Sequence, residues 1–275
     1  MKVTKYSGEI VSFNRDKLKN SLMKTGADTT VVEEVLRAIE KELYEEIPTK
    51  KIYRMAFKML KAKSNVHAAR YNLRNAIQAL GPAGFFFEKF ISELFADQGY
   101  DVRTNIILQG RIVSHEIDVL IKQNDWVEMI ECKFQSSQDS KNDVKVPMYI
   151  LSRFNDLKGI THSVFEKGDT VSGCRIVTNN RFTEDAIKFG ESSGLKLLGW
   201  NYPKDNGLKD LIDSCRLYPI TVLTTLTLAE KDKLLMQQII MVKDLIKKSY
   251  WLQKIGLSNY RITNVLKEAN GLCPG

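Results

Sequence analysis

The sequence is short of the residues that most enzyme chemistries begin with. Among 275 residues there are three histidines, His67, His115 and His162, and no two share a metal-like spacing. His115, three residues before Asp118, reads as a solvent-facing turn histidine. The four cysteines, Cys132, Cys174, Cys215 and Cys273, stand 42, 41 and 58 positions apart, so no thiol pair is spaced for a metal or a redox site. No Gly-x-Ser-x-Gly is present, which disfavours a serine hydrolase. Gly81-Pro82-Ala83-Gly84 lacks the lysine of a phosphate-binding loop. No uncharged run exceeds 13 residues, and the run 217–229 carries Pro219 and four threonines. A bilayer span takes roughly 20 apolar residues, so no membrane association is expected. Met1-Lys2-Val3-Thr4-Lys5 has no apolar stretch of a secretory signal. With cysteines that read as reduced thiols, this points to a cytoplasmic protein. Internal repeats and low-complexity segments are also missing.

What is present suits a soluble protein of two or three parts. Hydrophobic residues make up 43% and charged residues 27%, enough for a substantial core. The net charge of +8 is unevenly spread. Residues 1–80 hold 16 basic against 9 acidic side chains, 81–200 hold 14 against 17, and 201–275 hold 11 against 7. Basic ends favour phosphate-bearing partners, while the acidic middle suits a site that gathers carboxylates.

Local patterns divide the chain at 1–81, 84–200 and 201–275. In the first part, strands at 3–6 and 9–13 flank the Ser7-Gly8 turn. Four helices follow: one capped by Asn14 and stopped by Gly26, one opened by the capping box Thr30-Val31-Val32-Glu33, one capped by Thr49, and one capped by Asn65. Pro82-Ala83-Gly84 marks the boundary. The second part opens with an apolar helix stripe, Phe86, Phe87, Phe90, Ile91, Leu94 and Phe95. Strands are expected at 100–108, 117–121, 127–134, 174–178 and 196–200, with helices at 144–156 and 183–190. This order predicts a mixed α/β sheet covered on both faces. The third part reads as helices at 208–215, 229–247 and 258–270. Its basic, aromatic stretch (Tyr250, Trp251, Tyr260, Lys247, Lys248, Lys254, Arg261) could grip nucleic acid or pack on the protein itself.

The sharpest chemical signal lies on two expected neighbouring strands. Glu131 and Lys133, two apart, project to one face while Cys132 points the other way. Asp118 lies on the strand before, and the short link 122–126 makes the two antiparallel. Converging carboxylates form a hard-oxygen site suited to Mg²⁺ or Mn²⁺, to which the backbone carbonyl of Cys132 could add a ligand. A lysine alongside could orient water and offset charge on a phosphate. The same groups could instead form a salt bridge at a sheet edge, Lys133 with Asp118 or Glu131.

Phe87-Glu88-Lys89-Phe90, Gly99-Tyr100-Asp101-Val102, Glu116-Ile117-Asp118-Val119-Leu120 and Glu131-Cys132-Lys133 together resemble the PD-(D/E)xK nuclease superfamily. The Mrr-like restriction endonucleases are the nearest branch, and Thr178-Asn179-Asn180-Arg181-Phe182-Thr183 is similar to their later strand and helix. The resemblance spans residues 84–200. It implies metal binding by Asp118 and Glu131, a role for Lys133 at the water or scissile phosphate, and an acidic contribution from Glu88. Many Mrr-like sequences have Gln where this chain has Glu131. Residues 1–75 resemble the ATP-cone of ribonucleotide reductases and their repressors, through Val3-Thr4-Lys5-Tyr6-Ser7-Gly8, Phe13-Asn14-Arg15-Asp16-Lys17 and Thr49-Lys50-Lys51-Ile52. That resemblance implies binding of ATP or dATP, with Lys5 and Lys17 toward phosphates and Thr49 near the nucleotide. Tyr6 stands where the family has arginine, and Val11 where a polar residue is usual.

The function expected from these resemblances is Mg²⁺- or Mn²⁺-dependent hydrolysis of DNA, restriction- or defence-like, with ATP or dATP as regulator and homo-oligomerisation left open. The alternative is a non-catalytic nucleotide sensor that binds nucleic acid or a protein partner.

Overall fold

A computed structural model describes residues 1–5, 7–81 and 84–274. Tyr6 of the first turn and Pro82-Ala83 of the expected boundary lie outside the described residues. The chain forms two compact units, Met1–Ala76 with Ile220–Gly275, and Ile77–Pro219.

In the first unit β1 (Lys2–Thr4) and β2 (Ile10–Ser12) form the expected hairpin. Helix α1 (Arg15–Met23) begins where Asn14 Oδ1 accepts the Lys17 N–H at 2.7 Å. The next three helix starts each fall one or two residues from the expected place. Helix α2 (Thr29–Lys41) has Asp28, not Thr30, in the N-cap position. A two-residue strand, β3 (Ile47–Pro48), pairs in parallel with β1. Pro48 precedes α3 (Thr49–Lys63), so Thr49 is its first helical residue and no cap. Ser64 accepts the His67 N–H and caps α4 (Asn65–Tyr71), which draws Asn65 into the helix. A short α5 (Leu73–Gln78) follows. Leu22, Val32, Leu36, Ile39, Ile47 and Leu60 are wholly buried between these elements.

The second unit holds α6 (Phe85–Asp97), β4 (Asp101–Gln109), β5 (Ser114–Gln123), β6 (Trp126–Lys133), β7 (Lys141–Asn142), α7 (Lys145–Leu157), β8 (Thr161–Ser163), β9 (Lys167–Thr178), β10 (Arg181–Phe182), α8 (Glu184–Ser192), β11 (Lys196–Leu198) and α9 (Leu208–Cys215). The main sheet runs β11-β9-β6-β5-β4, with β8 paired to β9. Strands β4, β5 and β6 are antiparallel neighbours, whereas β6, β9 and β11 run parallel. This is the expected mixed α/β core. The β5–β6 hairpin turns on Asn124-Asp125, with Asn124 at φ 53, a left-handed position that Asn tolerates. Strand β9 starts seven residues before the expected strand because its first half pairs with β8. One face of the sheet packs on Ile150, Phe154 and Leu157 of α7 and Ala186 of α8. Helix α6 lies against β4, β5 and β6. Residues 201–219 belong to this unit, with Leu208 and Ile212 of α9 buried.

The remaining residues complete the first unit. A 3₁₀ turn (Ile220–Val222) leads to α10 (Leu228–Met236), α11 (Val242–Lys247), α12 (Tyr250–Lys254) and α13 (Asn259–Leu272). The helix expected over 229–247 is broken. Gln238 turns left-handed at φ 59, and buried Ile239, Ile240 and Met241 lie outside any helix, with the Ile240 carbonyl accepting the Ile220 N–H. The threonine-rich run is lodged on buried Glu268, which accepts the N–H groups of Thr224 and Thr225. Among the described residues no helix is long and apolar enough to cross a membrane.

Glu128 on β6 is 1% exposed and accepts from Arg175 and Lys196, each at 2.5 Å. Burial alone would raise its carboxyl, but these two cations hold it below the usual range. Its contribution to stability is therefore present above the unfolded-state value near 4.5 and is lost as pH falls. Arg175→Met should cost about 3 kcal/mol in chemical denaturation, and Glu128→Met with Arg175→Met should recover most of that loss.

Candidate active site

The ladder between β5 and β6 runs from Gln123↔Trp126 to Val119↔Ile130 and stops there. At the next position the Asp118 side chain replaces the ladder, its Oδ2 accepting the Cys132 N–H at 2.7 Å. On the other side, the β4–β5 register steps from Thr104↔Val119 to Ile106↔Ile117 without a pair at Asp118. Asn105, the residue facing that gap, has φ 51. The sheet thus opens between β5 and β6 beside Asp118, while β4 stays paired to β5 on either side of one skipped position.

Four expected site residues meet at this opening. Glu131 is 4% exposed, and Lys133 Nζ lies 2.6 Å from its Oε1. Burial first, then the charge of Glu131, pushes the Asp118 carboxyl up to about 7. The Cys132 N–H opposes that rise, Glu88 adds to it and Lys133 reduces it. Glu88, in the first turn of α6, is also raised, by burial and by the charges of Glu116 and Glu131. The Cys132 thiol is buried and raised far above its usual value, with Asp118 the leading charge, so it is no nucleophile at neutral pH. Within a strand, a residue's N–H and C=O face the same neighbour. The Cys132 carbonyl therefore faces the side from which Asp118 approaches.

Two carboxylates and a carbonyl are a donor set that Mg²⁺ or Mn²⁺ accepts while keeping waters and taking substrate oxygens. Among the described residues no three His, Cys, Asp or Glu side chains are grouped to enclose a metal. Burial first, and neighbouring carboxylates second, disfavour the charged forms of Asp118 and Glu88, and a divalent cation would favour them. On that ground the residues present fit the ion.

Two features of the site lie outside the sequence expectations. Arg153 of α7 donates from Nη1 to Glu131 Oε2 at 2.5 Å and from Nη2 to the Glu116 carbonyl. A lone arginine on an amphipathic helix gives no local signal of that contact. The second is a carboxamide network that holds the chain leaving Lys133. Asn179 accepts the Gln135 N–H at 2.8 Å and donates to the Gln135 carbonyl at 2.9 Å. Thr178 Oγ1 donates to the Lys133 carbonyl at 2.7 Å and accepts from Asn142. Asn180 donates to the Ser137 carbonyl. Thr178-Asn179-Asn180 was visible as a motif; its bonding was not.

His115 is not the solvent-facing turn residue expected. It is buried within β5, 2.8 Å from Asp156, which also accepts the N–H groups of Ile112 and Val113. The pair pins the β4–β5 turn to α7, because an imidazole on the covered face of a sheet needs a polar partner.

In the other unit, β1 and β3 pair in parallel as Val3↔Ile47 and Thr4↔Pro48, so Lys5 and Thr49 follow at adjacent positions. Lys5 Nζ meets Glu9 at 2.8 Å on the surface. Lys17 stands apart. The hairpin sets Ser12 opposite Lys2, so α1 begins at the other end of β1, about 10 Å away at strand spacing. In the basic, aromatic stretch, Lys254 sits over Trp251 at 4.5 Å and over Tyr250 at 5.1 Å, while Arg261 is engaged by Glu230.

A protein of Archaeoglobus fulgidus without an assigned function is 33% identical over 180 residues, which span 65% of this chain and 97% of that protein. The solved structure of AF1548, a protein of unknown function, is 31% identical at a TM-score of 0.55, covering 70% of this chain and 99% of that one. This chain is an AF1548-like protein. Three family models match it: the ATP cone domain over residues 1–76, the Mrr-type restriction endonuclease domain over 83–201, and the AF1548-like C-terminal domain over 218–273. The AF1548-like chain thus joins an ATP-cone to a restriction-endonuclease-like domain. A looser likeness, 18% identical with a TM-score of 0.33, is to Can2 of Sulfobacillus thermosulfidooxidans, solved with cyclic tetra-adenylate; it covers 66% of this chain and 50% of that one.

Asn179→Ala should free Gln135 and speed hydrogen exchange at its amide, with a stability loss of about 1–3 kcal/mol for the orphaned backbone groups. Unchanged exchange at Gln135 would show that the carboxamide does not hold this segment.

Proposed function

We propose that this protein is a divalent-metal-dependent endonuclease that hydrolyses DNA phosphodiesters, restriction- or defence-like, with ATP or dATP bound at the cone as a regulator. The observation that supports it most is the meeting of Glu88, Asp118, Glu131 and Lys133 where the sheet opens, inside a restriction-endonuclease-like domain. In this reading Asp118, Glu131 and the Cys132 carbonyl hold the ion. Bound there, Mg²⁺ or Mn²⁺ would supply Lewis-acid polarisation of the phosphodiester and activation of the attacking water. Lys133 orients the water or neutralises a phosphate oxygen, and its partial exposure leaves it room to move. Glu88 adds an acidic group at the rim. The basic excess in residues 1–80 and 201–275 draws in the phosphate backbone, with an affinity that falls as salt rises.

An ATP-cone suggests nucleotide binding. Lys5 and Thr49 stand at one end of the hairpin and Lys17 at the other, so in this reading the two lysines meet an extended polyphosphate at separate points, with Thr49 near the nucleotide. One feature favours the second reading, a nucleotide sensor that binds without cutting. Both oxygens of Glu131 already carry a cation, as in a purely structural ion pair.

Plasmid nicking separates the two readings. The wild-type chain with Mg²⁺ should cut, EDTA should stop it, and ATP or dATP should change the rate. Asp118→Ala should lose cleavage by on the order of a thousandfold or more while its melting temperature and DNA retention hold. Cleavage by Asp118→Ala at the wild-type rate would refute the assigned site. DNA retention without metal-dependent scission would favour the sensor.

A further inference from the structure

Glu131 bears two cations, and they are held in different ways. Lys133 reaches Oε1 on a flexible stem, with 32% of its side chain exposed and no second hydrogen bond or ion pair among the described residues. Arg153 reaches Oε2 with its side chain 12% exposed. Its second nitrogen is tied to the Glu116 carbonyl on β5, and its guanidinium lies 5.8 Å from the Tyr149 ring. The helix that carries it is fixed by buried Ile150, Phe154 and Leu157. A planar fork that spans a carboxylate and a carbonyl is pre-organised, whereas an ammonium on four methylenes is not.

An ion entering the opening must take one oxygen of Glu131 from one of these partners. The ammonium has fewer ties and more room, so it yields first. On the nuclease reading above, we infer that Arg153 is a positioning residue: it clamps Oε2 of Glu131 so that Oε1 is the oxygen given to the divalent cation, and Lys133 is thereby released toward substrate phosphate. The same clamp joins β6 to β5 across the gap where their ladder has ended. It thereby sets the separation of Glu131 from Asp118. Arginine is required for this, because lysine keeps the charge but cannot bridge both acceptors.

The two cations should therefore act in opposite directions on metal affinity. Mn²⁺ is titrated calorimetrically into the full chain, without DNA, for wild type, Arg153→Lys and Lys133→Met. Arg153→Lys should bind Mn²⁺ about tenfold more weakly, the usual cost of losing a partner that orients a ligand. Lys133→Met, freed of the competing ammonium, should bind as tightly as wild type or more so. A merely structural arginine would lower the melting temperature and leave Mn²⁺ affinity unmoved. Wild-type affinity in folded Arg153→Lys overturns the inference. So does a tenfold loss in Lys133→Met, and that arm decides the matter if Arg153→Lys does not fold. Absence of any Mn²⁺ binding by wild type would instead bring down the nuclease reading itself, and the role of Arg153 with it.

Discussion

The second unit is organised around negative charge that an apolar sheet cannot carry alone. Asp118 and Glu131 stand where β5 parts from β6, within the electrostatic reach of Glu88 and flanked by buried Ile117, Val119 and Ile130. Burying a carboxylate is costly unless it is paired and hydrogen-bonded. Lys133, Arg153 and the Cys132 N–H supply part of the compensation. Asp118 and Glu88 remain raised, so the compensation is incomplete. Three residues earlier on β6, Glu128 is as deeply buried, yet Arg175 and Lys196 hold its carboxyl below the usual range. One strand therefore carries a balanced acid and borders an unbalanced group.

Much of the sheet serves to hold that group open. The β5–β6 ladder ends beside Asp118 and the β4–β5 ladder skips one pair there, and two devices outside the ladder keep the strands from drifting. Arg153 ties Glu131 to the Glu116 carbonyl, and the carboxamides after β9 take over the backbone groups that follow Lys133. Backbone polarity lost at the opening is thus recovered by side chains, as buried backbone groups require. His115 and Asp156 do the same for the β4–β5 turn.

The sequence was most legible where the signal was local. Apolar runs over 117–121 and 127–134 located β5 and β6, and a period of two set Glu131 and Lys133 on one face. Asn14 capped α1 as read, because its side chain has one local partner. The other caps slipped, since Asp28, Pro48 and Ser64 each offered a competing start one or two residues before the residue chosen. The helix over 229–247 was misread because Ile239, Ile240 and Met241 fit a helical stripe equally well, and only tertiary burial draws them out of it. His115 and Arg153 were out of reach for a related reason. Their partners, Asp156 and Glu131, are 41 and 22 positions away, and no local pattern reports such a pairing.

Direct observation of the Asp118 carboxyl tests the central claim most closely. A raised value means the acid is protonated below its midpoint, so divalent-ion binding must weaken as pH falls through it. Carbon-13 NMR of the metal-free protein should show the Asp118 carboxyl titrating near 7, and Mg²⁺ should drive that midpoint down. An ordinary midpoint near 3.8 that Mg²⁺ leaves in place would contradict the account.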